Sequence, residues 1–449
     1  MLGYPGRTVR QKTSSFLKYE QEIRLPAIVE LYAWQIGEMD KTAALDRTVA
    51  IKYATRTKSL ANVEKRSRGQ LLGLRRASIV AAREKAEAEL VSFIQADTGR
   101  REKFGSLLTD VAIVYSEMTV QGPLEIHLKE LKSACRALSS AFTIYDAAVE
   151  RTKVDFERET PYMNRNIGLT LQQLKLDVAD WHGPTDTIML MGMLERLNKI
   201  NGARDIKPLA SRLNDSRPLS QLAASMIAST RMGELSFVEE CLKKSPAELE
   251  ASKDPVLKWM VELYPTYKSL RDLDKERDGR LGRLYGTLME VKQACEPTQF
   301  VPDANATLRI TYGRVRGYSP MDAIQKTPVS TLQGVVEKTT GVEPYITPKA
   351  VLERYAAKDF GPFVHPKLGQ VPVAILYNTD TTGGNSGSPV FNSMGELVGV
   401  NFDRTFEATI NDFAWNESYS RSIGVDIRYV LWITGIVYEA KHILKEMGL

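Results

Sequence analysis

With 449 residues the chain is longer than one hydrophobic core usually organises, so two or three domains are expected. Hydrophobic residues at 43% and charged residues at 26% give an ordinary globular balance. The net charge of +5 is small and spread out, with no basic block interleaved with aromatics, which argues against nucleic acid as a partner. Cys135, Cys241 and Cys295 are too few and too scattered for a disulfide framework or a CxxC metal site, and no HExxH pattern or P-loop points to a metal or organic cofactor. No apolar run reaches the roughly 18 residues that cross a bilayer, so no membrane insertion is expected. The first residues also lack a signal-peptide pattern.

The chain opens with Met1-Leu-Gly-Tyr-Pro-Gly-Arg-Thr8, an apolar strand end running into a Pro-Gly turn, which reads like the middle of a domain. From about Ser14 to Lys292 the pattern is helical. The segment from Leu45 to Ala96 is rich in Ala, Glu, Lys and Arg, all good helix formers. Leu124, Leu128, Leu131, Cys135, Leu138, Phe142 and Tyr145 recur at three- and four-residue steps and predict one buried helix face. Breaks are expected at Gly122-Pro123, Thr160-Pro161, Gly183-Pro184 and Asp254-Pro255. No regular period marks a solenoid, so this is an irregular helical domain. After Glu296-Pro297 the texture changes. Leu308, Ile310 and Tyr312 alternate with polar residues, and Val371–Leu376 and Leu397–Phe402 read as further strands, which suggests a β-barrel or sandwich. Helical spacing returns from Asp426 to Leu449.

Between two of these strands lies Thr381-Thr-Gly-Gly-Asn-Ser-Gly-Ser-Pro-Val390. A serine set among glycines at a strand–turn–strand junction exposes its hydroxyl with little crowding. The glycines permit positive φ and let backbone N–H groups turn inward. Donors from Gly384 and Ser386 would then meet the oxyanion formed when Ser386 attacks a carbonyl. The plainer alternative is a tight Gly-Ser hairpin with no chemistry. The pattern Gly-Asn-Ser-Gly-Ser-Pro resembles the nucleophile loop of chymotrypsin-like serine peptidases, whose first serine, here Ser386, is the nucleophile.

A more specific resemblance runs from end to end. Gly3-Tyr-Pro-Gly-Arg-Thr8, Ser59-Leu-Ala-Asn-Val-Glu-Lys65, Gly69-Gln70, Gly73-Leu74, Pro302-Asp-Ala-Asn-Ala-Thr-Leu-Arg309, Tyr312-Gly313, the serine loop and Ser422-Ile-Gly-Val-Asp-Ile-Arg-Tyr-Val430 resemble the dipeptidyl-peptidase 7/dipeptidyl-peptidase 11 family of bacterial serine peptidases. The resemblance implies an α+β fold, in which a large helical domain is inserted into a chymotrypsin-like double β-barrel. Here residues 1–13 would be a remnant of the first barrel, 14–295 the helical domain, and 296–449 the second barrel with a C-terminal helix. It also implies a periplasmic or secreted hydrolase that removes dipeptides from peptides with a free N-terminus, and it makes a homodimer a possible assembly. By position, Asp403 and Asn62 would hold the peptide's α-ammonium, a charge-assisted contact in the case of the carboxylate. The alternatives are a turn aspartate and a solvated helical asparagine. Arg404, eighteen residues after the nucleophile, would line the pocket for the residue before the cut and prefer Asp or Glu, because its planar fork pairs with a carboxylate through two hydrogen bonds. Its alternative is a surface arginine beside Asp403.

A serine hydroxyl needs a base to become a nucleophile. The four histidines, His127, His182, His365 and His442, do not occur in a setting like that of the family's catalytic histidine. In the family that histidine and its aspartate precede the Gly-Tyr-Pro-Gly-Arg-Thr segment, which begins here at residue 3. The expectation is an N-terminally truncated serine dipeptidyl-peptidase, weak or inactive as it stands. The competing reading is a non-catalytic remnant that still binds peptides.

Overall fold

The computed structural model describes residues 1–76, 78–296 and 301–449. Among the described residues helix takes up 62% and strand 9%, a mixed helix-and-sheet protein with a small sheet. The chain divides into two compact units. One comprises Met1–Lys12, Gly69–Ile79 and Glu296–Leu449, and the other Thr13–Arg68 and Val80–Cys295. The helix Arg47–Arg76 is shared between them, its last turns from Gly69 belonging to the first unit.

In the first unit, β1 (Leu2–Gly3) pairs antiparallel with β2 (Arg309–Ile310), and β3 (Tyr318–Met321) pairs with β4 (Ile324–Lys326). The main sheet contains β5 (Val329–Thr331), β6 (Pro372–Tyr377), β7 (Pro389–Phe391), β8 (Leu397–Arg404) and β9 (Ser422–Asp426), in the order β5-β6-β9-β8-β7 and antiparallel throughout. The strand expected around Thr307–Tyr312 shrinks to β2, whose Ile310 and its neighbour Tyr312 are exposed beside Leu2 and Tyr4. Ile375, Tyr377 and Val390 form a small core at the sheet, and a second one gathers Leu332, Val351, Val371, Trp432 and Val437. The C-terminal segment is helical over Ile427–Trp432, passes into a π turn at Ile433–Val437, and ends in the helix Lys441–Glu446.

The second unit is helical around one large core, in which Leu128, Leu131, Leu138, Ile144, Leu190, Trp259 and Leu263 are almost wholly inaccessible. Three expected breaks fall where proline starts a helical segment: Thr160–Tyr162, Gly183–Leu197 and Pro255–Cys295. The fourth does not. Pro123 lies inside the continuous helix Leu107–Ala134, where buried Gly122 sits against Ile23 and Tyr19 and packing outweighs the lost hydrogen bond. The stripe from Leu124 to Tyr145 is likewise not one helix. It bends at Cys135, in extended conformation, before a second helix Arg136–Glu150. The cause is distant in sequence. The wholly buried Asp186 carboxylate accepts hydrogen bonds from the N–H groups of Arg136 (2.9 Å) and Ala137 (2.8 Å) and from Trp181 Nε1 (2.9 Å), capping the new helix. Burial and that carboxylate push the Cys135 thiol well up, so it is a protonated core side chain.

Candidate active site

The loop Thr381–Ser388 joins β6 to β7 in the first unit, and two of its glycines have positive φ, Gly384 at +98° and Gly387 at +84°. At Gly384 a side chain is also excluded by space, since a Cβ there would lie 2.5 Å from the Tyr4 carbonyl oxygen and 2.8 Å from the Gly6 nitrogen. The opening Gly-Tyr-Pro-Gly segment is therefore pressed directly onto the loop. The Gly6 N–H donates to the Gly383 carbonyl at 2.6 Å, and a Cβ on Gly3 would collide with Ser388 Oγ.

Within this loop Ser386 is exposed and Ser388 is buried. Ser386 Oγ donates to the carbonyl of Phe402 at 3.3 Å. Several of the loop's amides are engaged. Asn385 N–H donates to Thr382 O (3.2 Å), Gly387 N–H to Asn401 O (2.8 Å) and Ser388 N–H to Asn385 O (3.1 Å). Those of Gly383, Gly384 and Ser386 have no acceptor among the described residues.

Buried Asn401 on β8 clamps the loop on both sides of the serine. Its carbonyl takes the Gly387 amide, and its side-chain Nδ2 donates to the Asn385 carbonyl at 3.1 Å. The orientation of that amide is fixed by Tyr377 on β6, whose hydroxyl donates to Asn401 Oδ1 at 2.7 Å. Burial pushes the Tyr377 hydroxyl upward, keeping it protonated and a donor at neutral pH. Neither residue carries a local sequence signature, and sequence reasoning missed both.

Strand β8 ends in a register shift against β9 between Asn401 and Asp403. An extra residue in one strand breaks the in–out alternation, and Phe402 and Asp403 are exposed in succession. Asp403 Oδ1 accepts the N–H of Arg404 at 2.8 Å. Arg404 does not stand as a surface arginine beside Asp403. Its side chain is only 11% exposed, and its Nη1 and Nη2 donate to Asp412 Oδ1 and Oδ2 at 2.8 and 3.1 Å. Asp412 Oδ2 also accepts from Gln70 Nε2 at 2.9 Å. Nothing in the sequence pattern singles out Asp412, and Gln70 belongs to a motif to which the sequence assigns no role.

Ser386, Gly384, Asp403 and Arg404 all belong to the first unit. Asn62 is exposed on the Arg47–Arg76 helix, in the part assigned to the second. His127 Nδ1 contacts Pro123 O at 2.6 Å, His182 Nδ1 contacts Thr185 Oγ1 at 2.8 Å, and His365 Nδ1 accepts from the Lys367 N–H at 3.2 Å. Among the described residues no histidine is hydrogen-bonded to Ser386. No group of three or more His, Cys, Asp or Glu side chains is arranged to hold a metal, and no helix is long and apolar enough to cross a membrane, again among the described residues.

The Peptidase S46 family model matches residues 1–449, and the chain belongs to that family. It is 30% identical to the Asp/Glu-specific dipeptidyl-peptidase of Shewanella putrefaciens, over all of this chain and 64% of that protein. It is 28% identical to dipeptidyl-peptidase 7 of Capnocytophaga gingivalis, over all of this chain and 62% of that protein. The chain thus spans somewhat under two thirds of the length of these curated relatives. Among solved structures, Porphyromonas endodontalis DPP11 in complex with the dipeptide Arg-Asp superimposes with a TM-score of 0.81 at 22% identity, covering 99% of this chain and 63% of that one. That likeness establishes the shared fold.

Proposed function

We propose that this chain carries the nucleophile and the acidic-residue pocket of a serine dipeptidyl-peptidase, which releases N-terminal dipeptides with Asp or Glu before the cut. The observation that carries this reading is the Ser386 loop. An exposed hydroxyl lies between positive-φ glycines, and the amides of Gly384 and Ser386, on either side of the engaged Asn385 amide, are left without acceptors among the described residues. Two free donors in a clamped loop suit a developing oxyanion, and removing one such donor typically costs about 100- to 1000-fold in turnover.

In this mechanism Ser386 Oγ attacks the carbonyl of the second residue and its proton passes to a base. The negative oxygen is held by the Gly384 and Ser386 amides. Collapse expels the shortened peptide as an amine that regains the proton, leaving the dipeptide esterified on Ser386, and water then frees it. Asp403, exposed on the β8 bulge, would take the substrate ammonium, and Arg404 would take the acidic side chain. The base comes from outside these 449 residues in this reading. The chain alone is expected to turn over weakly, since losing the base of a triad costs about a millionfold.

The test is hydrolysis of fluorogenic dipeptides ending in Asp, Glu or Leu by the 449-residue chain, its Ser386→Ala variant, and a form extended upstream. Cleavage only by the extended form, favouring Asp and Glu and abolished by Ser386→Ala, supports the proposal. Activity that survives Ser386→Ala would sink it. An inert extended form that still binds acidic peptides would instead establish a binding protein.

A further inference from the structure

The Arg404–Asp412 pair poses a question for the proposed pocket, because a guanidinium already forked onto an internal carboxylate has two of its donors committed. Its geometry leaves others. Asp412 occupies the end of the guanidinium, one hydrogen from each Nη. A guanidinium has five N–H donors in one plane, so the lateral edge formed by Nε and Nη2 remains, and that edge can fork a second carboxylate. Among the described residues nothing accepts from Arg404 Nε.

Asp412 is itself held. Its Oδ2 takes the Gln70 amide at 2.9 Å, its carbonyl takes the Val9 N–H at 2.8 Å, and its side chain is only 17% exposed. Gln70 reaches it because Gly69 and Gly73, one helical turn apart, let the helix backbone press on the turn Phe406–Asp412. A Cβ on Gly73 would lie 2.8 Å from Ile410 Cβ, and one on Gly69 would collide with Thr409 Oγ1. The Gly-Gln-x-x-Gly stretch thus gains a purpose that the nucleophile loop does not explain.

We propose that Gln70 and Asp412 are positioning residues for specificity. They lock the guanidinium of Arg404 so that its Nε–Nη2 edge is presented to the acidic side chain of the substrate. The discrimination between Glu and Leu then depends on Asp412 as well as on Arg404. This rests on the reading of Arg404 given above.

The test measures binding of Ala-Glu and Ala-Leu to the 449-residue chain by calorimetry, which requires no turnover, alongside the NMR signal of Arg404 Nε–H. Wild type is expected to prefer Ala-Glu, and Arg404→Ala to lose about 10- to 100-fold of that affinity, the worth of hydrogen bonds to a charged group. Asp412→Ala and the near-isosteric Asp412→Asn should each weaken Ala-Glu by about tenfold, leave Ala-Leu unchanged and broaden the Arg404 Nε–H signal. Gln70→Leu should act in the same direction but less, as one neutral hydrogen bond is worth less than a charged pair. Tighter Ala-Glu binding in Asp412→Asn would show that Asp412 merely competes for Arg404, and overturns the proposal. An Arg404 signal as sharp in Asp412→Asn as in wild type also overturns it. If Arg404→Ala binds Ala-Glu as wild type does, the pocket reading fails, whatever the NMR signal says of the lock.

Discussion

Replacing Gly73 by alanine sets two physical rules against each other. In a solvent-facing helix interior, Gly→Ala stabilises by about 1 kcal/mol, because alanine loses less backbone entropy on folding. At Gly73 the new methyl would lie 2.8 Å from Ile410 Cβ and 2.9 Å from Ile410 Cγ1, well inside the separation of about 3.5–4.0 Å at which carbon atoms attract. Ile410 is 1% exposed and cannot swing into solvent. Overpacking of this kind costs about 1–3 kcal/mol, so the net change runs from nothing to a loss of about 2 kcal/mol. Gly282 in the helix Pro255–Cys295 is the control. It is exposed, and a Cβ added there would meet nothing within 4 Å, so Gly282→Ala should gain the full propensity term. The two glycines lie in different units, and each effect is best read by hydrogen exchange of amides in its own unit under native conditions. A separation of about 1–3 kcal/mol between the two variants is expected. If Gly73→Ala protects its helix as much as Gly282→Ala protects the other, the close approach to the Phe406–Asp412 turn is not a constraint, and the account of Gln70 loses its foundation.

Asn401→Ala removes the side-chain donor to the Asn385 carbonyl and leaves the buried Tyr377 hydroxyl without an acceptor, so a loss of about 1–3 kcal/mol is expected in urea unfolding, with Tyr377→Phe recovering part of it in the double variant. Equal stability in wild type and Asn401→Ala would show that the clamp is ornamental. The Glu159 carboxylate is pulled both ways. Burial raises its pKa, but the hydrogen bond from Lys275 and the charges of Arg271, Lys275 and Lys153 lower it further, and the net value falls below the usual one. A lowered folded pKa contributes stability that is present above the unfolded value of about 4.3 and is lost as pH falls through the folded one. Glu159→Gln should therefore weaken the helical unit at neutral pH and have no effect at a pH below the folded value, and a penalty independent of pH would contradict this.

What could be read from the sequence was what is encoded by neighbours along the chain. The helices beginning near Pro184 and Pro255 follow from proline's fixed φ and missing N–H, and β6 and β8 follow from short apolar runs between turns. The serine loop was legible because its glycines are needed for backbone shape. The same logic failed at Pro123, where tertiary packing carries a helix through a residue that disfavours it, and at Cys135, where Asp186, 51 positions away, ends one helix and caps the next. Periodicity saw one apolar stripe because both helices bury the same face in one core.

The candidate site divides along the same line. Ser386 and Gly384 announce themselves through residue type and spacing, and Asp403 and Arg404 only through the family resemblance. Asp412, Gln70, Asn401 and Tyr377 act only through partners that folding delivers, and each has the composition of an ordinary turn, helix or strand residue. An arginine eight positions before an aspartate carries no signal until β8 ends, the chain turns back through Phe406–Asp412, and a helix with two glycines on one face comes against that turn. On the proposed reading of the pocket, an arginine at position 404 is only half of a specificity determinant. A relative that kept the arginine but carried a larger residue at the position of Gly73, or no carboxylate at that of Asp412, would hold the guanidinium differently, and its preference for acidic residues should fall for that reason.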